Sequence, residues 1–335
     1  MKPLIGIVVL FLALDPAGVS GERDTPIEGV FVRDSELWWF KADTNQDYFE
    51  KQLTSDGRQK SGPKWNPVGS RLGLILEPYA SERDKALAYV GLWNHQDTNL
   101  SVVPLFDVKP GEVRYVTGVT EFWWVNSNVL AVVGHIHPDA SELQLVDTDS
   151  KRATYSAIGA KFKVSPDAKH VVHCGEIPHF VPAEKKRDSV VFDGKTVFGA
   201  NLETTAYAIL GDLTTDNGFT RVAFAVSPRE NPARVEIVVA TKEGVFNRRA
   251  LPRVSVNSSI EMWFTENPSK SVAIVNATNS WLLGTNGLSA APPMARQKQT
   301  RVNEASLSKL SQELLASRRI GAGLAIRPER IQETH

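Results

Sequence analysis

Cysteine is almost absent from this sequence, and neither sign of charge is in excess. The 335 residues contain one cysteine, Cys174, which excludes internal disulfides and any metal site built from several cysteines. Lysine plus arginine and aspartate plus glutamate each total 38, so the formal net charge is +0 at pH 7. A chain without net positive charge has no general attraction to nucleic acid, and the composition predicts no nucleic-acid partner.

Long apolar runs are lacking beyond the N terminus. The first residues comprise Lys2, an apolar run from Leu4 to Leu14 and a group of small residues before Glu22, which is the pattern of a secretory signal peptide. The run is shorter than the roughly 20 residues that cross a bilayer as a helix. We therefore predict a signal peptide over residues 1–21 and a periplasmic or extracellular mature chain without a transmembrane segment.

The main hydrolytic and nucleotide-binding motifs are also lacking. There is no G-x-S-x-G, no H-E-x-x-H, and no G-x-G-x-x-G that follows a strand and opens a helix. Gly194-Lys195-Thr196 ends like a phosphate-binding loop, but Ser189 stands where that loop needs its first glycine. No cofactor is predicted, and the sequence favours a non-enzymatic protein over an enzyme.

Repeated β-strand patterns are what the sequence does contain. In the clearest copy, Leu37 to Ile75, an aromatic strand leads through a polar turn and a proline-rich turn to an apolar strand. This copy resembles the TolB-type and WD40-like propeller repeat, and the matching residues are Leu53, Thr54, Pro63, Trp65, Pro67 and Gly69. Asn66 and Val68 depart from the repeat. The resemblance implies an all-β propeller of four-stranded blades and gives a prior for protein binding.

Further copies set the number of repeats. If the equivalent positions are Pro67, Ser127, Pro166, Pro228 and Pro268, the intervals are 60, 39, 62 and 40 residues. Two of these intervals match a blade of about 40 to 45 residues, and the other two require insertions. Asp193-Gly194, in the second long interval, predicts a β-hairpin. We expect a propeller over residues 26–288 with six blades, and five or seven stay open.

The composition changes after the propeller. Residues 289–302 read as a linker, and residues 303–335 as a C-terminal helix and tail. Leu307, Leu310 and Leu314 share one face of the expected helix, so these three are the candidate partner-binding residues. A disordered basic tail is the alternative.

Histidines and tryptophans supply the remaining candidates. His135 and His137 alternate as strand residues do, so both can face one metal ion, whereas a loop with exposed histidines is the simpler interpretation. We predict no bound metal. The pairs Trp38-Trp39 and Trp123-Trp124 can each expose one ring for sugar stacking, or pack between blades.

Two functions follow from these features. The first is a non-enzymatic protein-binding or scaffolding module of the cell envelope, whose partner is another envelope or extracellular protein. The alternative is a propeller enzyme, or a carbohydrate- or small-ligand-binding protein, with its site in the central channel, where scattered side chains of several blades meet.

Overall fold

The computed structural model describes residues 27–42, 48–79, 86–94, 97, 99–107, 118–137, 140–175, 188–199, 202–252, 259–266, 272–276, 279–292 and 324–327. These residues form antiparallel β-strands, and no α-helix occurs among them. In chain order the strands are β1 (Ile27–Arg33), β2 (Glu36–Ala42), β3 (Tyr48–Gln52), β4 (Lys60–Trp65), β5 (Arg71–Leu76), β6 (Ala86–Asn94), β7 (Ser101–Asp107), β8 (Gly118–Trp124), β9 (Val129–His137), β10 (Ala140–Asp147), β11 (Arg152–Val164), β12 (Val171–Gly175), β13 (Ser189–Phe192), β14 (Lys195–Gly199), β15 (Tyr207–Thr215), β16 (Arg221–Pro228), β17 (Glu236–Thr241), β18 (Gly244–Ala250), β19 (Glu261–Phe264), β20 (Val272–Val275), β21 (Ser280–Gly284), β22 (Gly287–Ala290) and β23 (Ala325–Ile326).

The strands form small sheets that follow one another along the chain. Four sheets have four strands each, in the orders β23-β1-β2-β3, β4-β5-β6-β7, β15-β16-β17-β18 and β19-β20-β21-β22. The seven strands β8 to β14 form the remaining sheet. A series of four-stranded antiparallel sheets stacked in chain order is the β-propeller architecture, so the predicted all-β propeller class is confirmed.

The seven-stranded sheet consists of two units that share one long strand. The first part of β11, through Gly159, pairs with β10, and the second part, from Gly159 to Val164, pairs with β12. β11 therefore ends one four-stranded unit and begins the next. The predicted Asp193-Gly194 hairpin joins β13 to β14 and is confirmed, with both turn residues at positive φ.

Buried hydrophobic side chains fill the spaces between neighbouring units. Along β16, Val222 and Phe224 belong to the cluster shared with β12–β14, whereas Ala223 and Ala225 belong to the cluster shared with the sheet of β19–β22. Successive strand residues point to opposite faces, so a strand covered on both sides is apolar throughout. This arrangement explains why short strands such as β16 are apolar at consecutive positions.

Side-chain acceptors fix the turn after the first strand of several units. The Asn66 side-chain oxygen accepts hydrogen bonds from the backbone N–H groups of Ser70 and Arg71, at 2.8 and 3.1 Å. The Asp216 carboxylate accepts from the N–H groups of Thr220 and Arg221, at 2.7 and 2.9 Å. Both turns satisfy backbone donors that the strands leave free.

The C-terminal region contributes to the first sheet. β23 pairs with β1, where Ala325 is opposite Val30. The Trp65 indole donates to the Ala325 carbonyl at 3.2 Å, and Arg327 forms an ion pair with Glu28 at 2.6 Å. The predicted propeller range ended at 288, whereas residues 289–290 extend β22 and residues 324–327 bind to the first sheet.

Several sequence predictions fall on residues outside the described ranges. The signal peptide over residues 1–21 and the helix with Leu307, Leu310 and Leu314 are among them. In the described part of the chain, no helix is long and apolar enough to cross a membrane.

Candidate binding cavity

A cavity of about 610 Å³ lies between the first strands of four successive units, β4, β8, β11 and β15. This volume falls within the range of roughly 300 to 1,000 Å³ that small-molecule sites occupy. The side chains that give the cavity its chemical character are Lys64, Glu121, Trp123, Lys161, Phe162, Lys163 and Asp212.

A bulge interrupts each of these four strands where it borders the cavity. The pairing shifts after Ser61 on β4, after Val119 on β8, after Ala160 on β11 and after Leu210 on β15. An extra residue in one strand bends that strand and re-aims its side chains. The bulges therefore direct residues from four units into one space.

Glycine occupies the first bulge position of two strands and lysine that of a third. Gly62 has φ +55° and Gly211 has φ +61°, values that glycine adopts without a steric penalty. Lys161 has the same left-handed backbone, with φ +55°. A residue with a Cβ is disfavoured there by about 1 to 2 kcal/mol.

Three lysines border the cavity, one on β4 and two on β11. The Lys64 ammonium donates to the Phe122 carbonyl at 2.6 Å, and it lies 4.7 Å from the centre of the Phe122 ring. The Lys163 ammonium forms an ion pair with Asp212 at 2.5 Å. The Lys161 ammonium donates to the Ile209 carbonyl at 3.2 Å and, within the described residues, has no carboxylate partner.

The cavity also presents carboxylates and ring faces. Glu121 is exposed and accepts no hydrogen bond from any other described residue. Trp123 and Phe162 are half-buried: both border the cavity and pack against the hydrophobic cluster that includes Leu143 and Val171. Cations, acceptors and anchored rings together can bind a small polar ligand by charge, hydrogen bonds and stacking.

The two tryptophan pairs divide between packing and exposure. Trp124 packs between sheets, and its indole donates to the Lys64 carbonyl at 2.8 Å, while Trp123 reaches the cavity. In the other pair, Trp39 packs between the first two sheets, and Trp38 stacks on Phe31 beneath the Arg33 guanidinium. Of these four rings, Trp123 alone borders this cavity.

The structure places the candidate metal residues on β9. His135 pairs with Ser141 of β10, and His137 pairs with Ala140. Within the described ranges, no three His, Cys, Asp or Glu side chains are grouped to hold a metal ion, and the side chain of His137 lies outside those ranges. The absence of a bound metal stays a prediction.

His173 and Cys174, which are adjacent on β12, are buried in the core. His173 lies 5.3 Å from the Phe162 ring and shares a hydrogen bond with the Cys174 carbonyl. Burial lowers the pKa of His173, and this hydrogen bond only partly opposes that effect. Burial raises the pKa of the Cys174 thiol to about 12, so the thiol stays protonated and unreactive at neutral pH.

The cavity residues were not found as a set by sequence reasoning. Trp123 was a candidate, but Lys64, Lys161 and Glu121 stand in ordinary strand patterns. The available signal is positional: Lys64, Lys161 and Glu121 lie two, four and five residues before the turns that begin with Asn66, Ser165 and Asn126. That signal becomes useful only once the units are aligned by their turns.

No protein-family model matches the sequence, and no curated protein is similar to it. Among solved structures, the chain is similar to the β-propeller domain of the Trilobed protease from Pyrococcus furiosus, with 12% identity, a TM-score of 0.39 and coverage of 77% of this chain and 75% of that one. The Dos1 propeller gives 12% identity, a TM-score of 0.38 and coverage of 74% and 62%. An acylaminoacyl peptidase gives 11% identity, a TM-score of 0.37 and coverage of 81% of this chain and 46% of that one.

These similar structures contain propellers and belong to proteins with different activities, so no activity is inferred from them. The chain spans less than two thirds of the length of the Dos1 propeller structure and of the acylaminoacyl peptidase. The TolB-type repeat stays a resemblance in sequence.

Proposed function

We propose that this chain is a non-catalytic binding protein of the cell envelope, and that its ligand is a small polar molecule held in the cavity. The observation that carries the proposal is the convergence of four bulged first strands on one cavity of about 610 Å³. The envelope location rests on the predicted signal peptide of residues 1–21.

The proposal includes a six-bladed propeller in which the cavity is part of the central channel. Two features support this count: β11 serves two units, and β23 supplies the missing first strand of the sheet of β1–β3. With those assignments every blade has four strands, and its first strand lies nearest the channel.

A thermal-shift screen of the mature chain, residues 22–335, tests the proposal. The panel contains mono- and disaccharides, organic acids, amino acids and nucleotides. A ligand that binds only the folded chain stabilises it by about 2.7 kcal/mol at 100 times its Kd, so we expect a raised Tm with at least one compound. Calorimetric titration then gives the affinity.

Two variants localise the binding. Trp123→Ala removes a ring that borders the cavity and is expected to weaken binding, whereas Phe49→Ala alters an exposed ring on β3 and should leave affinity unchanged. If no compound raises the Tm, or if binding is equal in wild type and Trp123→Ala, the proposed cavity function is wrong.

A protein-binding or scaffolding module is the second candidate. It is favoured by large apolar side chains exposed on strands at the sheet edges: Phe49 on β3 is 57% exposed and Phe246 on β18 is 58% exposed. Edge strands offer free backbone groups to a second chain. Reproducible capture of one envelope protein, lost in Phe246→Ser and retained in Trp123→Ala, would favour this candidate.

A further inference from the structure

Lys161 combines two features of the cavity that have different physical origins. Its backbone is left-handed at a bulge position that Gly62 and Gly211 fill in two other units. Lys161 lines the cavity, and the described partner of its ammonium is a backbone carbonyl and not a carboxylate. A fold selected for stability alone has no need of a lysine here, because glycine adopts this conformation freely.

The surroundings of Lys161 define the chemistry of a ligand. Lys163 is paired with Asp212, and the Lys64 ammonium donates to the Phe122 carbonyl and lies 4.7 Å from the Phe122 ring centre, so we assign the anionic group to the ammonium of Lys161. The exposed carboxylate of Glu121 can accept hydrogen bonds from hydroxyl groups, and the Trp123 ring, fixed by the core on its other side, offers a flat apolar face. A sugar acid has all three complementary groups.

We propose that the cavity binds an acidic saccharide, with Lys161 binding the sugar carboxylate, Glu121 accepting from its hydroxyl groups and Trp123 stacking on its ring. This assignment rests on the proposed function and names its ligand class. Lys161 is the residue that distinguishes acidic from neutral sugars.

Two matched sugars test the charge preference. D-glucuronate and D-glucose differ at C6, where one carries a carboxylate and the other a hydroxymethyl group. A hydrogen bond between charged groups predicts that glucuronate binds about tenfold or more tightly than glucose in calorimetric titrations at low salt. This preference is expected to decrease as salt is added.

The variants separate recognition from folding. Lys161→Gly is expected to weaken glucuronate binding about tenfold while the Tm is unchanged or raised, because glycine relieves the backbone strain. Lys161→Arg keeps the cation and should retain most of the affinity. Lys151→Gly is the matched control: Lys151 also has φ +55°, but its ammonium donates to Ser101 at 2.8 Å in a turn that does not border the cavity.

The outcomes are distinguishable from failure of the proposed function. If glucose and glucuronate bind equally and Trp123→Ala abolishes both, the cavity binds sugars but the role of Lys161 is overturned. Tartrate binding as tightly as glucuronate would overturn the saccharide class and leave an anion site. If none of the three compounds binds, the inference fails, and the wider ligand screen then decides the proposed function separately.

Discussion

Lys60 and Lys64 lie on the same strand, β4, but their environments are opposite. The side chain of Lys60 is completely buried. Its ammonium contacts the carboxylates of Asp56 and Glu36, the latter at 3.2 Å, and donates to the carbonyls of Ser35 and Arg58 at 2.9 and 2.8 Å. Lys64 is an exposed residue at the cavity, where its ammonium donates to the carbonyl of Phe122 and lies 4.7 Å from the centre of the Phe122 ring.

The comparison shows that one residue type serves two purposes on a single strand. Burying an ammonium costs several kcal/mol unless carboxylates and other acceptors surround it, and Lys60 has such a shell. At the cavity end of β4, Lys64 is an exposed residue, so water solvates its side chain and no such shell is needed. Buried and exposed lysines of one strand are therefore distinguished by their surroundings and not by sequence pattern.

Replacing Lys60 should give the largest change in stability. Lys60→Met keeps the length of the side chain but removes the cation beside Glu36 and Asp56; because water reaches Asp56, which is 44% exposed, and in part Glu36, which is 12% exposed, we expect a cost of about 1 to 3 kcal/mol. Urea unfolding followed by circular dichroism measures this loss. Lys51→Met, at an exposed position of β3, is the control and should change stability by less than about 0.5 kcal/mol. An equally small effect of Lys60→Met would contradict the structural role.

The second prediction concerns how the stability contributed by Glu36 and Asp56 depends on pH, and its expected size is intermediate. Burial raises the pKa values of Glu36 and Asp56, but hydrogen bonds from Thr54, Gly57 and Lys60 to Glu36, and from Lys60 and Arg58 to Asp56, outweigh burial and lower both pKa values. A carboxyl group with a lowered pKa stabilises the fold above its unfolded pKa of about 4, and this contribution is lost as pH falls below that value.

The destabilisation caused by Lys60→Met should therefore be largest near pH 7 and decrease as the pH falls below about 4. Unfolding free energies of wild type and variant, measured from pH 7 to pH 3, give this difference directly. The comparison between the two lysines fails if the difference is independent of pH, because the carboxylates would then not act through Lys60.

Replacing Lys64 should give the smallest effect on stability. Lys64→Met loses the part-buried hydrogen bond to the Phe122 carbonyl, and we expect a cost of about 1 kcal/mol, with no change in the acid dependence of unfolding. The backbone carbonyl of Lys64 still accepts from the Trp124 indole in this variant. A cost as large as that of Lys60→Met would place Lys64 in the structural class.

The sequence predicted those parts of the fold that depend on local turn chemistry. Asp193-Gly194 predicts its hairpin because both residues accept positive φ. The alignment of Pro228 with Pro67 is wrong, because Pro228 ends β16 and the turn equivalent to that of Pro67 begins at Asp216. The turn requires an acceptor side chain at its first position, as Asn66 and Asp216 supply, and proline is incidental to it.

The sequence could not predict features that depend on distant partners. The strand β11 is 13 residues long and pairs with different neighbours along its length, which local periodicity does not reveal. The cavity likewise depends on the alignment of four bulges, and the lysines become a group only after the units stack. The sequence allows a site in the central channel to be proposed from the propeller architecture. It does not allow the side chains of such a site to be named.

Residues 324–327 pair with the first sheet, so that sheet can be completed only after these residues have been synthesised. The ion pair between Glu28 and Arg327 joins positions 299 residues apart, and the edge of β1 that β23 covers stays unpaired until residues 324–327 have been synthesised. An open strand edge can pair with any extended segment that reaches it, including one from another molecule. We therefore expect a chain that stops short of residue 324 to expose this edge of β1 and to be prone to self-association.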